Sequence, residues 1–116
     1  MKFEDMYVGQ KVRVRSWEDI MSDPNLKQAQ YLGEPVIVHV DPDDRGIFFN
    51  SEKHYCGAAM TVDLLAGEMA DGMDSRRVLV SRGDEYTSCL FPPWIFEPID
   101  IEVKIESDVF LSCLLL

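Results

Sequence analysis

The sequence predicts a small, mainly β protein, a barrel or sandwich of five to six antiparallel strands joined by short helical turns. Two observations carry this expectation. Segments with strict apolar–polar alternation, or with compact β-branched runs, recur along the chain. Between them stand clusters of Pro, Asp and Gly at close intervals, which end one strand and turn the chain toward the next. At 116 residues and 47% hydrophobic content, the chain is long enough to bury one core without disulfide or metal support. No internal repeat or low-complexity linker divides it, so residues 1–116 are expected to form one domain, with a barrel over about 8–105 and an apolar tail over 106–116.

Residues 11–17 (KVRVRSW) place Val12 and Val14 on one face and Lys11, Arg13 and Arg15 on the other, the mark of a half-buried strand. Ser16, three residues before Asp19, can cap a short helical turn holding Glu18, Ile20 and Met21, which Pro24 then ends. Residues 25–33 (NLKQAQYLG) read as a second helical turn or a loop, with Leu, Lys, Gln and Ala favouring helix slightly. The run 36–40 is a strand. Residues 41–46 (DPDDRG) form a dense turn signal, and Ile47, Phe48 and Phe49 complete a hairpin. Cys56 and Gly57 precede a further strand over 59–65. Residues 67–75 (GEMADGMDS) follow neither period and are expected to be an exposed loop. Segments 76–81 and 86–91 flank a second hairpin turn at 82–85, and Pro92 and Pro93 break the ladder because neither can donate a backbone hydrogen. Residues 99–105 alternate again.

Acidic residues outnumber basic ones by 21 to 11, a net charge of −10. That balance argues against direct binding to nucleic acid or an anionic membrane, which needs clustered Lys and Arg. It suits a partner whose own surface is basic. The three cysteines cannot all pair within one chain, as expected of a reducing, cytoplasmic setting. No secretory signal and no membrane-length apolar stretch is evident. His54 and Cys56 lack a second ligand pair at zinc spacing, so no metal or other cofactor is expected. The same two residues are the nearest approach to a nucleophile and its base, yet nothing around them would orient a base, and no phosphate loop is present. The expectation is a non-enzyme. His39, inside an apolar strand, reads as a hydrogen-bonded or half-exposed residue.

Three blocks stand out together: VGQKVRVRSWED at 8–19, Cys56-Gly57 ahead of Thr61-Val62, and Trp94 followed after two residues by Glu97-Pro98. They resemble small SH3-like β-barrel proteins encoded by phages and prophages, in which the last block corresponds to a short 3₁₀ turn leading into the final strand. The chain departs from that pattern by an insertion around 66–75 and by its tail after Pro98. The resemblance implies a phage context in a bacterial host cell, where proteins of this size often bind and block host machinery, as anti-CRISPR and other anti-defence inhibitors do.

The charge is uneven. Residues 34–75 hold nine acidic and two basic groups, whereas residues 1–33 hold five of each. The candidate partner-binding acids are Asp41, Asp43 and Asp44 in one expected loop and Glu68, Asp71 and Asp74 in the other. Gathered on one face, they would mimic the spaced phosphates of DNA and occupy a basic groove, for example on a nuclease; dispersed, they serve solubility. Trp17, Tyr55 and Trp94 are the candidate aromatic contacts, although in so small a barrel most aromatics should close the ends of the core. Two readings follow: an acidic inhibitor of a basic, nucleic-acid-binding host protein, or an SH3-like interaction or assembly module. The apolar tail should pack on its own barrel or on a second copy, so a homodimer through residues 109–116 is one expected outcome.

Overall fold

The computed structural model describes residues 1–67, 69–70, 73–74, 76–83 and 85–99. After a 3₁₀ turn at Phe3–Asp5 the chain enters β1 (Lys11–Val14), α1 (Trp17–Ser22), β2 (Leu26–Tyr31), β3 (Glu34–His39) and β4 (Ile47–Phe49). A 3₁₀ segment at Asn50–Tyr55 leads to β5 (Ala59–Ala66), then β6 (Met69–Ala70), β7 (Met73–Asp74), β8 (Arg77–Arg82) and β9 (Glu85–Phe91). A last 3₁₀ turn, Pro93–Ile95, delivers β10 (Phe96–Pro98). Five strands form a curled antiparallel sheet, a half-barrel, in the order β10-β1-β5-β8-β9. Strands β2, β3 and β4 form a second sheet in that order, and β6 and β7 pair with each other.

The expected mainly β, antiparallel architecture with short helical turns is therefore present, divided among more and shorter strands than five or six. β1 buries Val12 and Val14 completely while Lys11 stays exposed, as its alternation requires. Ser16 caps α1, its Oγ accepting the Asp19 N–H at 3.1 Å, and the helix buries Ile20. The half-barrel curls where its ladder slips: the register shifts between Val62 and Leu64 on β5 and between Leu79 and Ser81 on β8. Bulges on adjacent strands bend and twist a sheet in this way. At the first shift Asp63 Oδ1 accepts the Ser81 hydroxyl at 3.1 Å.

One core joins the two larger sheets, since Ile37 and Phe48 belong to the same buried cluster as Val12, Val62, Val80 and Phe96. Phe91 is its hinge. The ring stands edge-on to Tyr55 at 5.8 Å and to Phe96 at 5.9 Å, and lies tilted against Phe48 at 6.1 Å. Phe91 thus meets Tyr55 and Phe96 in the edge-to-face geometry that aromatic quadrupoles favour, while the β4 ring of Phe48 packs against it at a tilt.

Three expectations are corrected here. Residues 26–31 form a strand, because β3 offers Val36, Ile37 and Val38 as cross-strand partners and that pairing outweighs a slight helical propensity. The segment around 66–75 contains the short β6–β7 ribbon, and the longest excursion between half-barrel neighbours is residues 15–58, which carries α1 and the three-stranded sheet. Arg15 leaves the exposed face of β1, which ends at Val14, and becomes half-buried between Asp19 and Asp23. Of the expected strand over 99–105 only residue 99 is described, and the rest of it and the tail 106–116 lie outside the described residues.

Candidate functional site

The turn between β3 and β4 is built by its residue types. Asp41 and Asp44 bracket a β-turn, with the Asp44 N–H donating to the Asp41 carbonyl at 3.1 Å and Pro42 setting the first turn dihedral. Asp41 Oδ1 also accepts the Asp43 N–H at 3.0 Å, an Asx turn that fixes the loop from within. Behind the turn, the Asp41 N–H donates to His39 Nδ1 at 3.0 Å, and the Val40 N–H donates to the Asn25 carbonyl at 2.8 Å. Gly46 closes the loop at φ +138°, and a Cβ there would stand 2.5 Å from Pro92 Cβ. Only glycine lets the turn seat against the Pro92-Pro93 break.

Two clefts flank this turn and share His39, Asp44 and Arg45 as their partition. The first, about 680 Å³, is lined by Asp43, Asp44 and Trp94 together with the N-terminal residues 1–5 and Arg76. Arg76 donates to Glu4 at 3.1 Å and lies over the Phe3 ring at 4.8 Å, fastening the N-terminal segment to the start of β8. The second cleft, about 560 Å³, is more apolar, with Tyr31, Phe49 and Leu90 on its walls and Asp41 at its rim. Tyr31 and Leu90 are among the exposed large hydrophobic residues.

Trp94 is held from behind. Arg15 donates from Nη1 to the Trp94 carbonyl at 3.2 Å while its other nitrogens bind Asp19 at 2.7 Å and Asp23 at 2.8 Å. Partial burial works against the Arg15 charge, but the hydrogen bonds it donates to Asp19 and Asp23 outweigh it and hold the guanidinium above its ordinary value. Asp23 responds in the opposite sense. The Asn25 N–H and then Arg15 bind its charged form and hold its carboxyl below the usual range. The Trp94 indole Nε1 is buried without a hydrogen-bond partner among the described residues.

Of the acidic candidates, Asp41, Asp43 and Asp44 thus share one rigid turn, with Asp41 and Asp43 exposed. Asp74 falls on β7, and Glu68 and Asp71 lie outside the described residues. Of the aromatic candidates, Trp94 joins Asp43 and Asp44 at the first cleft. Trp17 and Tyr55 line neither cleft and pack against the core, Trp17 beneath Lys53 Nζ at 4.8 Å and Tyr55 against Phe91. His39, Arg45, Arg76 and Glu4 were not singled out for the site by the sequence. Arg76 and Glu4 are 72 positions apart, and no local pattern announces such a pair.

The first cleft carries cations as well as carboxylates, with the N-terminal amine, Lys2, Arg45 and Arg76 facing Glu4, Asp5, Asp43 and Asp44. The amine donates to the Phe96 carbonyl at 3.0 Å, and burial followed by the nearby Arg15 charge lowers its pKa. Elsewhere, burial pushes the Cys56 thiol up, with Lys53 opposing, and a raised thiol holds less of the reactive thiolate at neutral pH. His54 engages the Ser51 carbonyl through Nδ1 at 3.0 Å. Among the described residues no group of three or more His, Cys, Asp or Glu is placed to hold a metal ion, and no helix is long and apolar enough to cross a membrane. No protein family, curated protein or solved structure matches the chain.

Proposed function

We propose that this protein is a non-enzymatic binding protein that occupies a basic, nucleic-acid-binding surface on a host protein, acting in a bacterial cytoplasm as an inhibitor of anti-CRISPR or other anti-defence type. The observation that supports it best is the turn at 41–44. Three carboxylates are carried on a loop pinned by its own Asx turn, by His39 and by the Gly46–Pro92 contact. A loop ordered before binding loses little entropy on docking. The chain's net charge of −10 adds long-range steering toward a basic partner. Trp94 and the adjoining cleft supply short-range contacts beside the acids.

Capture from bacterial lysate at low salt and at about 1 M salt, where screening shortens to about 3 Å, tests the reading. The wild-type protein is expected to retain a nucleic-acid-binding protein at low salt and release it at high salt. The triple variant Asp41→Lys, Asp43→Lys, Asp44→Lys is expected to retain none. Capture that ignores both salt and charge reversal would overturn the proposal. It would favour the second reading, an SH3-like interaction or assembly module, which draws on the exposed Tyr31 and Leu90 of the apolar cleft.

A further inference from the structure

His39 ends β3 and belongs to the wall of both clefts. One ring nitrogen, Nδ1, faces two different groups. It accepts the Asp41 N–H at 3.0 Å and lies 3.6 Å from Asp44 Oδ2. The two contacts make opposite demands on a proton. With Nδ1 bare, the ring accepts from the Asp41 amide but meets the carboxylate lone pair to lone pair. With Nδ1 protonated, the amide hydrogen faces another hydrogen, while the Asp44 carboxylate, 3.6 Å away, needs only a small approach to accept the proton's hydrogen bond. No single ring state satisfies both neighbours.

From this geometry we propose that protonation of His39 is a switch that exchanges the Asp41 N–H for the Asp44 carboxylate as the partner of Nδ1, and so resets the acidic turn. In the neutral state the turn hangs from the ring through Asp41. In the protonated state the ring draws Asp44 onto Nδ1 at the partition between the clefts, and the Asp41 amide turns to water, which its exposed position allows. Other charged groups complete the surroundings. Asp43 and Arg45 flank Asp44 in the same loop and line the first cleft with it. Asp23, behind β3 at the end of α1, feels the His39 charge but is already bonded to Arg15 and the Asn25 amide. Across the cleft lie the Met1 amine, Lys2, Asp5 and the Arg76–Glu4 pair. The Trp94 ring, 6.3 Å away and uncharged, gives the imidazole a face to pivot against.

Amide and ring NMR spectra of the full chain, recorded from pH 8 to pH 5 with no partner present, test the switch. The Asp41 amide resonance is expected to move along the same titration curve as the His39 ring protons. His39→Asn puts a non-titrating acceptor oxygen where Nδ1 stands, and its Asp41 resonance is expected to stay still across the range. Asp44→Asn removes the anion to which the protonated ring turns, so the course of the Asp41 transition with pH is expected to change. Should His39→Asn lose its dispersed spectrum, Asp44→Asn on the turn still decides the matter. An Asp41 amide that stays still while the ring titrates, or a transition unmoved by Asp44→Asn, would overturn the proposal. Because the free protein is observed, failure here leaves the proposed partner untouched, and failure to capture a partner leaves the switch untouched.

Discussion

The two ends of β3 are both turned by short loops, but they are held in opposite ways. At the C-terminal end, the turn at 41–46 is tied down from several sides: Gly46 against Pro92, Val40 to the Asn25 carbonyl, and Trp94 through Arg15 to Asp23. At the N-terminal end, Leu32 and Gly33 connect Tyr31 to Glu34 as a two-residue turn with φ of +52° and +81°, and Leu32 is 88% exposed. That is the dihedral signature of a type I′ hairpin, normally filled by Asn-Gly. One end has residues chosen for its geometry and neighbours that enforce it. The other imposes the geometry on a residue that resists it. Strand pairing alone can hold a poor turn residue in place, whereas a loop that must present side chains in a fixed direction is secured by tertiary contacts.

The strongest test of this contrast is Gly46→Ala. Its Cβ would enter Pro92 at 2.5 Å in a backbone region that L residues avoid, so we expect a loss of about 3 kcal/mol by chemical denaturation. The salt-dependent capture described above should weaken with it. A loss below about 1 kcal/mol would show that the turn is not seated on the proline pair and that the two ends differ less than their contacts imply.

A smaller effect is expected at Asp23, which supports the anchored end through Asn25 and Arg15. Its carboxyl is held low in the folded protein, so the native state binds that proton less readily than the unfolded chain does. The stabilisation is therefore complete above the ordinary aspartate range near 4 and fades as pH falls through the lowered native value. Asp23→Asn should cost about 1–2 kcal/mol at pH 7, and the gap from wild type should close as the pH falls below about 4 in urea unfolding. A gap that stays constant with pH would assign the loss to packing rather than charge.

The same contrast explains what the sequence made legible. Ser16 before Asp19, and Asp41-Pro42-Asp43-Asp44 between two apolar runs, were readable because each residue's own chemistry builds the local structure. β2 was not readable, since Leu26 and Ala29 are its only inward-leaning residues and the alternation that marks a strand is missing. Its partner β3 makes it a strand. At the site, Asp43, Asp44 and Trp94 were singled out for unrelated reasons, acidity and aromatic bulk, and the fold brings them to one cleft. Trp17 and Tyr55 had the same chemical credentials but went to the core, a choice decided by where Phe91 and Lys53 stand. Arg15 looked like one more outward base on an alternating strand until α1 and the Asp23 that caps its end supplied two carboxylates to it.

The smallest effect has the opposite sign and belongs to the free end. Replacing Leu32 by Asn gives the turn the residue its dihedrals prefer. Leu32 is almost fully exposed, so its side chain gives up little packing when removed. The left-handed conformation costs an ordinary L residue about 1–2 kcal/mol, and Asn tolerates it by bonding locally to its own backbone. We therefore expect Leu32→Asn to raise stability by about 1 kcal/mol, read as a rise in the urea midpoint with an unchanged slope. Because β2 and β3 are already paired over six residues, the register should not change, and the cleft wall at Tyr31 should stay where it is. A neutral or destabilising outcome would mean that Leu32 has a use in this chain beyond closing the hairpin, and that the free end is not free.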